Sequence, residues 1–292
     1  MHPTREINAL FSLIDDPDEE VYASVSSRII AYGKSIIPNL EHLWETNPNE
    51  HVQDRIELLI HRLHFQDLVT DITAWRNNPH NDLLFGALLL AKYQYPDIQV
   101  TPVMVDIEKI RRSLWLELNS FLTPLEQANI FTKILYHYFQ FKGAAVTYNN
   151  PDEFLIHKVL QTRKGNAFSN AIVYLVLAEL LDLPFKVVQI PRQFLLAYFA
   201  QPHQYQTAST AQHSISFFVD AVNGQVYSHK DIEHYFKRLN ISPTPMHYEP
   251  LNNQQIIHKL AEELSQCFST PHQAYKKEEL EQIAALLANQ MR

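Results

Sequence analysis

Apolar positions in the first third of the chain fall on helical stripes: Val21, Val25 and Ile29 recur every four residues, one face of a helix. The pattern then repeats. Pro17, Pro48 and Pro79 stand at a constant interval of 31 residues. The same register superposes Asp16 on Asn47 and Asn78, Leu13 on Trp44 and Trp75, and Val21 on Val52 and Leu83. An Asp/Asn-Pro pair marks a turn, because proline fixes φ and lacks an N–H. The polar residues that follow (Asp18-Glu19-Glu20, Asn49-Glu50, Asn81-Asp82) suit a helix N-terminus, where negative charge is favoured. The spacing predicts three helix–turn–helix units, a short α-solenoid over residues 1–98.

Beyond it the period changes. Residues 103–141 read as helical, with Thr123-Pro124-Leu125-Glu126 as a helix start. Gly143 is placed to cap a helix C-terminus. A turn at 148–153 opens a helix through Leu160, and the polar break 161–166 precedes a long apolar helix from Ala167 to about Leu181. Three strand-like runs follow: Phe185–Ile190, Gln193–Phe199 and Ser214–Asp220, the last closed by an Asn223-Gly224 turn. Residues 200–212 read as a loop and 242–250, with three prolines, as a linker. Helices are expected at 230–239, 253–268 and 276–291. The fold class is therefore mainly α with an α+β part. Three divisions are expected: the repeats at 1–98, a helix-plus-antiparallel-sheet domain at 99–241, and a C-terminal linker and helices at 242–292.

Composition narrows the chemistry. A single cysteine, Cys267, excludes an internal disulfide and a CxxC zinc site, and it reads as an ordinary helix residue. Five glycines leave no GxGxxG and no P-loop, so no nucleotide cofactor is expected. The net charge of -8 argues against nucleic acid and anionic membranes as partners, and the small basic spot Arg111-Arg112 beside Trp115 does not change that. No apolar run approaches a membrane span and no signal peptide is visible, so the expected location is cytoplasmic. His61 and His64 share a helix face but lack further metal ligands, so no metal is expected. Lys276-Lys277-Glu278-Glu279 reads as a solvated face.

The order of motifs from residue 141 onward is specific. Phe141-Lys142-Gly143, Tyr148-x-x-Pro151, Val159-Leu160-Gln161-x-Arg163-x-Gly165-Asn166, Ala178-Glu179-Leu180-Leu181-x-Leu183-Pro184, Pro191-x-x-Phe194-Leu195 and Phe218-Val219-Asp220 follow one another. This resembles the transglutaminase-like (papain-like) superfamily over roughly residues 100–235, and within it the bacterial SirB-one-type branch; the N-terminal repeats resemble HEAT units. The resemblance implies a cysteine nucleophile at the start of the long helix, a histidine base on the next strand and an aspartate that orients it. The matching positions here are Ala167, Gln193 and Asp220. Alanine carries no nucleophile, and a carboxamide does not take up a proton near neutral pH. The leading expectation is a non-catalytic member that binds another protein or a peptide. Arg163, Asn166, Ser169 and Phe194 are its candidate cleft-binding residues. The alternative is a hydrolase or acyl-transferase with a rearranged site of Ser169, His213 and Asp220.

Overall fold

The computed structural model describes residues 5–200 and 208–288. Two compact units divide the chain, 1–74 and 75–292, rather than at the expected 98/99 boundary.

The first unit holds α1 (Arg5–Ser12), α2 (Glu19–Ala31), α3 (Ile37–Thr46) and most of α4 (Glu50–Asn77). The repeat has a physical basis in its turns. Asp16 Oδ1 accepts from the Asp18 N–H at 2.9 Å, Asn47 Oδ1 from Asn49 at 2.9 Å, and Asn78 Oδ1 from His80 at 3.0 Å. The same Asx turn thus recurs at every 31-residue register. Capping follows suit, with Asp18 accepting from Glu20, Asn49 from His51 and, shifted two residues later, Asp82 from Phe85. Three separate units do not form, however. Glu50–Asn77 contains no glycine or proline, so α4 runs unbroken for 28 residues and serves as the helix on both sides of the expected second junction. By contrast, Gly33 at φ +66 and Pro38 break the chain between α2 and α3.

Arg55, buried on α4, ties this unit together. One guanidinium nitrogen donates to the carbonyls of Ile14 and Asp16, both at 2.8 Å, and the other to Glu19 at 2.7 Å. Its plane also lies 4.2 Å from the Tyr22 ring centre.

In the second unit α5 (Leu83–Lys92) is buried nearly all round, as is the long helix of the core. A helix apolar on every face needs neighbours on every face, which is why α5 belongs here with that helix. Next come α6 (Val100–Glu117) and α7 (Pro124–Thr132), the latter opened by a capping box of Thr123 with Glu126. A π-helical stretch, Lys133–Tyr138, continues α7. Strand β1 (Lys142–Ala144), helix α8 (Ile156–Thr162), strand β2 (Lys164–Asn166) and the core helix α9 (Ala167–Glu179) follow.

Strands β3 (Phe185–Ile190), β4 (Gln193–Phe199), β5 (Ile215–Val219) and β6 (Val226–Tyr227) form one antiparallel sheet in that order. Helix α9 packs on β3 and β4 from one side while α5 and α8 cover its other side. An aromatic cluster runs through this interface: Phe131 stacks on Tyr174 at 4.5 Å, and Tyr174 meets Phe185 edge-to-face at 5.0 Å between ring centres.

The expected loop 200–212 is in part helix α10 (Ala208–Ser214), and residues 201–207 lie outside the described residues. Helix α11 (His229–Leu239) packs Ile232 and Phe236 into a core cluster with Val188, Leu195 and Phe218 of the sheet. The expected linker is a packed connection: Tyr248, in a 3-10 turn at Pro245–Tyr248, is buried among Phe218 and Phe236. Finally α12 (Asn253–Ser265) and α13 (Ala274–Ala288) pack on each other, and α12 also packs on α5. The end of the last expected helix, 289–291, lies outside the described residues.

Gly143 does not cap a helix. The residue in the left-handed region there is Gln140, at φ 59, while Gly143 sits in β1. Its register partner in the parallel pair is Gly165 of β2. Both glycines answer a close approach. A Cβ on Gly143 would stand 2.5 Å from Val222 Cα, and one on Gly165 would stand 2.6 Å from Ser169 Oγ.

Candidate functional site

Three segments converge where the sheet meets the start of α9. Asn166 caps that helix: its side-chain oxygen accepts from the Phe168 and Ser169 N–H groups at 3.0 and 3.1 Å. Ser169 returns the bond, its hydroxyl accepting from the Asn166 N–H at 3.0 Å and donating to the Glu153 carbonyl at 2.6 Å. Ala167, directly after the cap, lines a cavity of about 620 Å³.

Gln193 enters the same cavity from the start of β4. It follows a two-residue hairpin in which Pro191 supplies a fixed φ and Arg192 takes φ 62. A non-glycine residue held there is strained by about 1–3 kcal/mol. Arg192 also lines the cavity.

Asp220 enters from the end of β5. Its Oδ1 accepts from the Val222 N–H at 2.8 Å, its own N–H donates to the Gln225 carbonyl at 2.8 Å, and Gly224, at φ +76, closes the loop. The retained aspartate therefore shapes a tight turn, and it also faces the cavity.

The three positions expected from the motif alignment thus share one cavity. Its remaining lining includes Phe168 and Phe194, with ring centres 4.6 Å apart, Gln189, Tyr148 and Glu263. The Tyr148 hydroxyl donates to Glu263 at 2.8 Å, and that bond, aided by burial, pushes the phenol up to about 12. Among the described residues, no thiol, imidazole, amine or aliphatic hydroxyl lines this cavity. Gln193 and Asp220 also line a second cavity of about 540 Å³, bounded by Tyr227 and by Asp231, His234, Tyr235 and Arg238 of α11.

Of the four candidate cleft residues, Phe194 alone lines the cavity at the motif positions. Asn166 and Ser169 are buried behind it in the cap. Arg163 lines a separate cavity between α6 and α8. The alternative trio does not assemble either. The Ser169 hydroxyl is occupied in the cap, His213 lies exposed on α10, and only Asp220 lines the cavity.

Tyr148 and Glu263 were not legible as site residues. Glu263 sits on an amphipathic C-terminal helix, and nothing in its local pattern separates it from any surface acid. Cys267, one turn further along, lies near Glu153 and Glu263. Burial first, then those two carboxylates, pushes its thiol up to about 12, so it stays protonated and unreactive at neutral pH.

No group of three or more metal-capable side chains occurs among the described residues. No described helix is long and apolar enough to cross a membrane. Arg111 and Arg112 both bind Glu108, which offsets the basic spot noted above.

Known proteins resemble this chain over part of its length. The UPF0162 protein BU173 of Buchnera aphidicola subsp. Acyrthosiphon pisum is 31% identical over 117 residues, 40% of this chain and 39% of that protein. The UPF0162 protein of Vibrio cholerae is 28% identical over 116 residues, 40% of this chain and 43% of that one. Human F-box only protein 21 is 24% identical over 165 residues, 47% of this chain and 26% of the human protein. The matches span less than half the length of these relatives. No solved structure matches. A family model for the transglutaminase-like superfamily matches residues 102–262, more than half of the chain and every lining residue of the cavity just described except Glu263, so the chain belongs to the transglutaminase-like superfamily.

Proposed function

We propose that this protein uses the transglutaminase-like cavity to bind a peptide or a protein segment and performs no acyl transfer there. One observation carries the reading. The positions of the nucleophile and base hold Ala167 and Gln193, and among the described residues no thiol, aliphatic hydroxyl or imidazole lines their cavity. Covalent acyl transfer needs an attacking group and a base within hydrogen-bond reach. What remains suits recognition. Gln189 and Gln193 offer carboxamides that match a peptide backbone, and Phe168 and Phe194 offer an aromatic wall.

The test pairs activity with binding. Purified protein is offered an acyl-donor peptide and a fluorescent amine, beside an Ala167→Cys/Gln193→His variant. No turnover is expected from the wild type, and amide transfer or hydrolysis from the double variant. In parallel, extended peptides retained by the wild type are expected to be lost with Ala167→Trp, which fills the cavity. Wild-type turnover that disappears in Asp220→Asn would overturn the proposal.

A further inference from the structure

The cavity between α6 and α8 is separate from the one just discussed and has its own unmet chemistry. It measures about 420 Å³ and is lined by apolar Ile98, Pro102, Val103 and Leu160 and by polar Asp106, His157 and Arg163, with Gln99 and Gln161 also present. Arg163 stands in the left-handed region at φ 59, ending α8, and its guanidinium lies over the Phe139 and Phe141 rings at 5.7 and 5.0 Å. Its Nη2 reaches Asp106 at 3.3 Å, longer than a tight charge-assisted bond of about 2.7–2.9 Å. Its Nη1 is buried with no hydrogen-bond partner, and so are both ring nitrogens of His157. Burial, and then Lys158, pushes this imidazole down to about 4, so it is neutral and offers one N–H. Buried donors without partners are costly, and an acceptor that meets them offsets that cost.

We propose that this cavity binds a small monocarboxylate with an apolar tail, its oxygens accepting from Arg163 Nη1 and from the His157 N–H. The tail lies against Ile98, Pro102, Val103 and Leu160. The volume falls within the range of small-molecule sites, about 300–1,000 Å³. Asp106 beside the anchor selects against a dianion such as phosphate, which would set two negative charges against a fixed carboxylate. The proposal stands independently of the peptide reading, because none of these residues lines the other cavity.

Titration calorimetry on the full chain tests it, with sodium hexanoate as the probe and hexanol, hexylamine and inorganic phosphate as comparisons. Hexanoate is expected to bind with one-to-one stoichiometry and at least about tenfold more tightly than the other three, the scale of one hydrogen bond to a charged group. Arg163→Gln is expected to weaken hexanoate by at least about tenfold. Asp106→Asn is expected to tighten it severalfold, since the competing carboxylate is gone. Should Arg163→Gln fail to fold, the ligand comparison on the wild type and the Asp106→Asn variant decide the matter. Hexanol binding as tightly as hexanoate, phosphate binding more tightly, no detectable hexanoate binding, or unchanged affinity in Asp106→Asn would each overturn the proposal.

Discussion

Gly143 offers a direct test of how the chain is built around the cavity. Two roles make opposite forecasts. A helix C-cap in the left-handed region tolerates asparagine better than alanine, because asparagine visits that region readily. A glycine required by close approach tolerates neither, and the larger side chain fares no better. In the structure any Cβ at Gly143 would collide with the backbone of Val222, 2.5 Å from its Cα, and backbone cannot rotate away. The collision also forces apart the hydrogen bond from the Gly143 N–H to the Val222 carbonyl, 3.1 Å long. One lost hydrogen bond at about 1 kcal/mol and overpacking at about 1–3 kcal/mol give a destabilisation of about 3 kcal/mol for Gly143→Ala. For a unit of this size, about 2–4 °C per kcal/mol, the midpoint should fall by about 6–12 °C. Gly143→Asn should fall at least as far. Thermal unfolding followed by far-ultraviolet circular dichroism reads both. Gln140→Gly, at the residue that does occupy the left-handed region, should instead hold or raise the midpoint, since it relieves about 1–2 kcal/mol of strain against one surface side-chain bond. An asparagine variant within about 2 °C of the wild type, with alanine worse, would refute the close-approach argument.

In the first unit, Arg55→Met should cost about 2–4 kcal/mol in chemical unfolding, because the Ile14 and Asp16 carbonyls lose their donor, whereas Glu19→Gln should cost less than about 1 kcal/mol, its carboxylate being 77% exposed. For His157 the sign follows from its depressed pKa. The folded state binds the proton less readily than the unfolded chain, so its contribution to stability is complete above about 6.5 and is lost as pH falls toward about 4. Melting curves between pH 7.5 and 4.5 should show this loss, and His157→Phe should lack that part of the slope. The Cys267 thiol should react with iodoacetamide at pH 8 at under one-tenth the rate of the urea-unfolded chain, since burial and two nearby carboxylates keep it protonated.

How much of this was legible depends on the range of the interaction involved. The 31-residue register, the Asx-Pro turns, the capping box at Thr123 and Glu126, and strands β3 and β4 to the residue are all set by neighbours within a few positions. Motif order was enough to bring Ala167, Gln193 and Asp220 to one cavity, because the helix and strands that carry them follow one another in the chain. Local pattern failed where distant backbone decided. Gly143 reads as a cap from its neighbours, yet it is a glycine because Val222, 79 positions away, passes against it. Ser169 reads as a hydroxyl near a nucleophile position, yet the Glu153 carbonyl claims it.

The sequence alone determined most of the long helices and strands, the turn chemistry and which residues stand at the three motif positions, because each is a property of residue identity and short spacing. Only the tertiary structure decided that α4 is one helix, that α5 joins the core of α9, that Glu263 and Tyr148 enter the cavity, and that Arg163 faces a different one. Those outcomes rest on which apolar faces find each other and which buried polar atoms find partners. Both are settled by contacts between residues far apart in the chain.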